Sequence, residues 1–203
     1  EECLSSRTRA VFAAHTMGMP FDFNKLRDFC DSNNLFLIED CCDAFGTSID
    51  DIHVGSVADL ATLSFYPAHH ITTGEGGAVL TNNAKLAKIA RSLRDWGRSC
   101  WCIGGVDNSC GKRFSWKYEG LPEGYDHKFI FNEIGYNLKM SEFQAALGAS
   151  QMDKIETFTN IRKTNHNYLL NKLKENSLDQ YFEFHSPSAE KADSAWFGFP
   201  ITL

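Results

Sequence analysis

Apolar and polar positions along the chain follow two rhythms that alternate. A run of apolar and β-branched residues at 9–14 predicts a strand. Asp22 then reads as a helix N-cap, with Phe23, Leu26, Phe29 and Cys30 at helical spacing behind it. Residues 35–38 form a short, fully apolar strand that ends in the acidic pair Glu39-Asp40, and 60–65 and 78–81 predict two more strands. Between Asn83 and Trp96, the residues Leu86, Ile89, Ala90 and Leu93 mark one face of a helix. Another helix starts near Ser141, where Gln144 three residues on completes a capping-box pattern, and its apolar rhythm runs to about Leu173. Residues 196–203 read as a strand that stops in mid-pattern. Strands alternating with helices predict an α/β fold, a mostly parallel sheet covered by helices. In such sheets ligands gather at the carboxyl ends of the strands, where the polar groups after Ile38 and Leu63 lie.

Two stretches break the rhythm. Residues 97–135 are rich in glycine, hold three cysteines and show little periodicity. So long an irregular stretch inside a compact domain is usually functional. Residues 186–194 are polar with one proline and read as a linker. The expected organisation is part of a large domain over 1–160, including the loop at 97–135. A connecting helix and the start of a small α/β C-terminal domain then occupy 161–203. The first residue is not Met, and periodic signals run up to both ends, so the chain reads as a segment of a longer one.

Composition narrows the classes. The 203 residues are 43% hydrophobic with a net charge of −6, which excludes a disordered or low-complexity chain and argues against nucleic-acid binding. The longest apolar runs are a few residues, too short to span a membrane, and the opening Glu1-Glu2-Cys3 lacks the features of a signal peptide. A cytoplasmic location is expected. Seven cysteines, at 3, 30, 41, 42, 100, 102 and 110, are an odd number in a chain with no mark of secretion, so a disulfide framework is not expected. Cys42, Cys100, Cys102 and Cys110 make a candidate group for zinc or an iron–sulfur cluster. The single-residue gap between Cys100 and Cys102 is unusual for zinc. On spacing alone a metal site and a set of scattered buried thiols stand level. Cys41 and Cys42 alternate along an extended segment, so one of the pair faces the loop.

Five short motifs then follow in order. They are Leu37-Ile38-Glu39-Asp40, Asp43-Ala44-Phe45-Gly46, Ser64-Phe65-Tyr66-Pro67, Gly74-Glu75-Gly76-Gly77 and Gly135-Tyr136-Asn137-Leu138-Lys139-Met140. Together they resemble the DegT/DnrJ/EryC/StrS family of sugar aminotransferases and dehydratases, which use pyridoxal phosphate on the fold type I scaffold. One departure matters. The family's aminotransferases carry a lysine between the Ser64-Phe65 motif and the glycine-rich one, and here that segment has none; His69 stands in its place. A histidine cannot hold pyridoxal phosphate covalently as a lysine does. It can move a proton near neutral pH. Lys85 is the remaining candidate for a lysine supplied from elsewhere.

The run Ser64-Phe65-Tyr66-Pro67-Ala68-His69-His70-Ile71-Thr72, with Asp95-Trp96-Gly97-Arg98, resembles the family's 3-dehydrase branch. That branch acts in 3,6-dideoxysugar synthesis for lipopolysaccharide and carries a 2Fe–2S cluster on four cysteines. The branch's ligand spacing matches as Cys42, 57 residues, Cys100, one residue, Cys102, seven residues, Cys110. The resemblance implies pyridoxamine 5'-phosphate as cofactor and CDP-4-keto-6-deoxyglucose as substrate. It gives His69 the role of general base, Asp40 that of partner to the ring nitrogen, and Ser64 that of phosphate donor. Asp43 falls near the ring, Tyr66 beside the sugar, and Asn137 at the phosphate of a neighbouring subunit, which requires a homodimer. Because a 2Fe–2S cluster passes single electrons, an NAD(P)H-dependent flavin and iron–sulfur reductase is the implied partner. His70 is expected to support the fold, and Gly74 to Gly77 to make a tight turn around Glu75 rather than a phosphate grip. A cluster-free dehydratase and a zinc-stabilised, non-catalytic binding protein of the same fold stay open at this point.

Overall fold

A computed structural model describes residues 3–102 and 105–203. In chain order the elements are β1 (Ala10–Ala14), α1 (Phe23–Ser32), β2 (Phe36–Asp40), β3 (Ser48–Ile49), β4 (Ile52–His53), β5 (Leu60–Ser64) and β6 (Gly77–Leu80). After them come α2 (Ala84–Arg94), α3 (Glu142–Met152), α4 (Ile155–Glu175), β7 (Glu183–Phe184), β8 (Ala192–Asp193) and β9 (Ile201–Thr202). Contacts divide the chain into two compact units. One holds the residues up to Asn82 together with Ser141–Leu203, and the other is Asn83–Met140. The boundary expected near residue 160 lies inside α4.

In the first unit a four-stranded sheet runs β1-β2-β5-β6. The first three strands are parallel, and β6 returns antiparallel along β5. Asp22 caps α1 by accepting from the Lys25 backbone N–H at 3.1 Å. One apolar cluster gathers Phe23, Cys41, Ala44, Ile49, Val54 and Ala61. A second gathers Cys30, Leu35, Leu37 and Ala58. Register brings Ala14, Asp40 and Thr62 level at the carboxyl ends, with Ala14 opposite Asp40 and Asp40 opposite Thr62. The polar residues noted in the sequence therefore sit on one rim.

Strand alternation sends the two acids of β2 to opposite faces. Glu39 enters the core, fully buried, with its Oε2 2.9 Å from His15 Nε2 and accepting the Gly55 backbone N–H at 2.5 Å. His15 stacks on Phe21 at 4.1 Å between centroids. Truncating one partner strands the other without water. Glu39→Ala is therefore expected to cost about 3–5 kcal/mol of unfolding free energy, read from urea melts.

The long helical pattern after Ser141 resolves into two helices. α3 opens on the capping box of Ser141 and Gln144 and stops at Met152, and α4 starts again after Lys154. The polar pair Asp153-Lys154 breaks the helix without Gly or Pro, which the apolar rhythm could not reveal. The strand expected at 196–203 is confined to Ile201–Thr202, paired with β7. Trp196 takes a left-handed backbone, φ +40°, and its ring stacks on His166 at 3.5 Å. The polar stretch read as a linker contains β8, which pairs antiparallel with β3.

The second unit begins with α2, capped by Asn83, whose side chain accepts from the Lys85 and Leu86 backbone N–H groups. The irregular stretch after it is tied at its base. Tyr136 N–H donates to Leu93 at 2.8 Å, Trp96 N–H donates to Tyr136 at 3.0 Å, and Asp95 bridges Asn137. Gly97 (φ +77°) crosses Glu133 and Gly135 so closely that a β-carbon on Gly97 would strike the Glu133 carbonyl, and one on Gly135 would strike the Gly97 nitrogen. Only glycine fits both places. Among the described residues no helix is long and apolar enough to cross a membrane.

Candidate active site

Asp40 ends β2 on the face opposite Glu39. Its Oδ1 accepts from the Cys42 backbone N–H at 3.0 Å and from the Thr62 hydroxyl at 3.2 Å. Partial burial pushes its pKa up, but the Cys42 and Thr62 hydrogen bonds and the nearby His69 outweigh that and hold it below the usual carboxylate value. Asp40 is thus an anion at neutral pH, as a partner for a protonated ring nitrogen must be. Its neighbour Cys41 is fully buried and Cys42 partly exposed, as alternation requires. Burial and the adjoining Asp40 push the Cys42 thiol up to about 11.

The connection from β5 to β6 carries the segment that lacks a lysine. Phe65 N–H donates to Gly76 at 2.9 Å and Thr73 N–H to Phe65 at 2.9 Å, which closes the loop at its base. Glutamines from α3 fasten it, Gln144 Nε2 donating to the Glu75 carbonyl and the Gln151 amide exchanging bonds with Thr72. Glu75 is thereby part of a tight backbone turn. Ser64 Oγ accepts the Tyr66 backbone N–H at 3.2 Å, so its own proton is free for a further acceptor such as a phosphate oxygen. The Tyr66 ring is half exposed, 6.5 Å from the His69 ring. His69 Nδ1 lies 3.5 Å from Asp43 Oδ1, and its ring tilts against Phe197 at 5.1 Å. Asp43 is held from the other side by the Met17 N–H at 3.3 Å. Asp40, Asp43, Ser64, Tyr66 and His69 therefore belong to one unit, and Asp43 and His69 meet directly.

His70 turns the other way. It is buried, with Nε2 donating to the Ala195 carbonyl at 3.2 Å. Burial, helped by the Arg162 charge, holds its pKa down to about 4. Unfolded, the ring binds a proton as pH falls through about 6.5; folded, it stays neutral to about 4. Its contribution is complete above pH 6.5 and is lost as pH falls through that window. His70→Gln is expected to remove about 3 kcal/mol of acid sensitivity. Urea midpoints at pH 7 and pH 4.5 measure it.

The second unit carries Asn137 and the three remaining candidate thiols. Asn137 is exposed, on the bridge to Asp95, and Lys139 Nζ reaches Asp95 at 2.6 Å. Ligand atoms of Cys100, Cys102 and His127 lie within 4.8 Å of one another. Cys110 Sγ is 3.3 Å from His127 Nε2. Burial raises the Cys100 thiol. At Cys102 a small burial effect is outweighed by hydrogen bonds involving Cys110, Ser109 and Cys100, which bring it down to about 7. Thiols and an imidazole at this separation are a soft donor set that fits iron–sulfur or zinc. Reading the sequence missed His127, Thr62 and Phe197. Sixteen residues separate His127 from Cys110, and no period links them; Thr62 was hidden because its role comes only from parallel register.

The arrangement defines a class. The sequence profile of the DegT/DnrJ/EryC1/StrS aminotransferase family matches residues 1–203. The chain belongs to that family. It is 48% identical over 203 residues to the lipopolysaccharide biosynthesis protein RfbH of Salmonella typhimurium, an alignment covering 100% of this chain and 46% of that protein. It is 46% identical over 200 residues to the dTDP-4-dehydro-2,6-dideoxy-D-glucose 3-dehydratase of Saccharopolyspora spinosa, covering 98% and 42%. The chain thus spans about half the length of the curated relatives it matches. Among solved structures, the Escherichia coli GDP-4-keto-6-deoxy-D-mannose-3-dehydratase with bound hydrated PLP matches at a TM-score of 0.80 and 26% identity, over 98% of this chain and 48% of that one. The fold is that of the fold type I, pyridoxal-phosphate-dependent aminotransferase-like enzymes.

Proposed function

We propose that the whole protein removes the carbon-3 hydroxyl of a 4-keto-6-deoxy sugar nucleotide, with CDP-4-keto-6-deoxyglucose as substrate, in dideoxysugar synthesis for lipopolysaccharide. The observation that carries this is His69, standing where a lysine would be and set against Asp43 on the connection that follows Ser64. When bound, pyridoxamine phosphate supplies an amine for the 4-keto group and a ring that accepts an electron pair, and a 2Fe–2S cluster supplies single electrons. Asp40, kept anionic by Cys42 and Thr62, holds a proton on the ring nitrogen. Ser64 Oγ–H donates to the cofactor phosphate, and Tyr66 lines the sugar site. His69 takes the proton whose removal drives loss of the hydroxyl, and Asp43 orients the imidazole and stabilises its charge. Asn137 reaches the phosphate held by a second subunit of a homodimer. Cys42, Cys100, Cys102 and Cys110 hold the cluster, which a flavin and iron–sulfur reductase using NADH or NADPH recharges. Residues 161–203 lead into a smaller C-terminal domain. The thiol set suits the reducing cytoplasm.

The test is made on the full-length protein, reconstituted anaerobically. Absorption and electron paramagnetic resonance are recorded before and after dithionite. Removal of the carbon-3 oxygen from CDP-4-keto-6-deoxyglucose in the presence of pyridoxamine phosphate, a flavin and iron–sulfur reductase and NADH is then followed by mass spectrometry. A reduced 2Fe–2S signal is expected, together with a product lighter by one oxygen atom, since water leaves and two electrons and two protons enter. Zinc, or no metal, with no dehydration overturns the reading.

A further inference from the structure

Three thiols of the second unit share a buried neighbour to which the proposed function gives no task. His127 is fully buried, on a short turn of helix opened by Asp126, whose side chain accepts the Lys128 N–H at 3.0 Å. The same carboxylate takes two bonds from Arg113, Nε at 2.9 Å and Nη2 at 2.8 Å. Arg113 follows Cys110 by three residues, and its carbonyl accepts the His127 N–H at 3.3 Å. This clamp fixes the distance between the Cys110 loop and His127. Trp116 stacks on the imidazole at 4.3 Å and 19° and sets the ring plane. Nε2 is thereby aimed at Cys110 Sγ, 3.3 Å away, and Nδ1 has no partner among the described residues. The Lys112 backbone N–H also points at Cys110 Sγ, at 3.3 Å.

We infer that His127 donates its Nε2–H to the Cys110 thiolate and so raises the reduction potential of the centre that Cys110 helps to hold. The inference rests on the cluster reading given above. A cluster of this type has four terminal ligand positions, and four cysteines fill them, which leaves the imidazole as a donor to sulfur. A hydrogen bond to a thiolate draws off negative charge, and it stabilises the reduced cluster, which carries one electron more, above the oxidised one. The buried position excludes competing water, so the bond keeps most of its strength. His127 is a positioning and tuning group, not a catalytic residue.

The experiment uses the full-length protein with wild-type His127, His127→Phe and His127→Gln. Phe keeps a flat ring against Trp116 and removes the donor; Gln returns an N–H near the Nε2 position. Iron, acid-labile sulfide and the midpoint potential are measured by titration monitored by electron paramagnetic resonance, and nitrogen coupling by pulsed methods. In His127→Phe, full iron and an unchanged signal shape are expected, with about a tenfold shift toward the oxidised form, which is about 59 mV for one electron. His127→Gln is expected to fall between the two. If the Phe variant fails to fold, a Gln midpoint below the wild type by less than the tenfold shift, together with an N–H still coupled to the cluster, supports the donor role. A Gln variant that has lost the coupling and keeps the midpoint overturns it. An unchanged midpoint in a loaded Phe variant overturns the inference alone. A directly coordinated nitrogen in the wild type, lost with the cluster in His127→Phe, makes His127 a ligand and also overturns it. A wild-type protein that takes up no iron overturns this inference and the cluster reading together.

Discussion

His69→Asn in the full-length protein is expected to slow dehydration of the 4-keto sugar nucleotide by about 10²–10⁴-fold, the range for loss of a positioned general base. Binding of pyridoxamine phosphate, read by equilibrium dialysis, is expected to stay within a factor of a few. The reason is the division of labour on this rim. Asp40, Thr62 and Ser64 belong to the strand ends and keep their hydrogen bonds whatever stands at position 69. His69 stands on the connection beyond β5, and Asp43 is the carboxylate at its Nδ1. Asn preserves polarity and comparable size but cannot take a proton. His69→Lys separates two meanings of the missing lysine. The amine is expected to attach covalently to the pyridoxal form, detected by borohydride reduction and mass spectrometry, with dehydration crippled. A Lys variant that dehydrates at the parental rate removes His69 from the chemistry. Asp43→Asn is expected to have the smaller effect, since the imidazole remains and only its orientation and charge partner change.

How much of this was legible in the chain follows from the range of each interaction. Local rules worked where a structure is made by neighbours. Asp22 and the pair Ser141 and Gln144 announced their helices because a cap needs a polar side chain within three residues of the orphaned N–H groups. The rim position of Asp40 followed from an apolar strand ending in acids. The opposite fates of Glu39 and Asp40 also follow from period two, yet the partner that makes burial of Glu39 tolerable is His15, twenty-four residues away. No local pattern identifies it. The break at Asp153-Lys154 was hidden because neither residue is a breaker. Trp196 was misread as strand because it takes a left-handed backbone and stacks on His166, tertiary features that apolar character alone does not reveal. The cysteine spacing was visible, and His127 was not. The spacing is a property of one segment; the imidazole comes to the thiols through the Arg113 clamp and the Trp116 stack, both set by folding.

Cys100→Ala is the second large effect. Outer partners of metal ligands are worth about 10–100-fold in affinity, so removing a ligand itself is expected to weaken retention by more than about 100-fold and leave a protein without stoichiometric iron or labile sulfide. Dehydration coupled to reductase and NADH or NADPH is expected to fall to background, because no other group in the proposed site passes single electrons. Pyridoxamine phosphate binding is expected to persist, since Asp40 and Ser64 stand in the first unit on hydrogen bonds that involve no residue of the second. Cys30→Ala serves as the matched comparison. Cys30 is a buried thiol of α1 packed with Leu35, Leu37 and Ala58, so its loss is a packing change with iron unaffected. The contrast isolates ligand chemistry from damage to the fold. Cys100→Ala that keeps full iron and sulfide would remove Cys100 from the ligand set; the same variant losing cofactor along with iron would show that the thiol site supports the fold of the whole protein, and the two centres would then have to be treated as one folding unit.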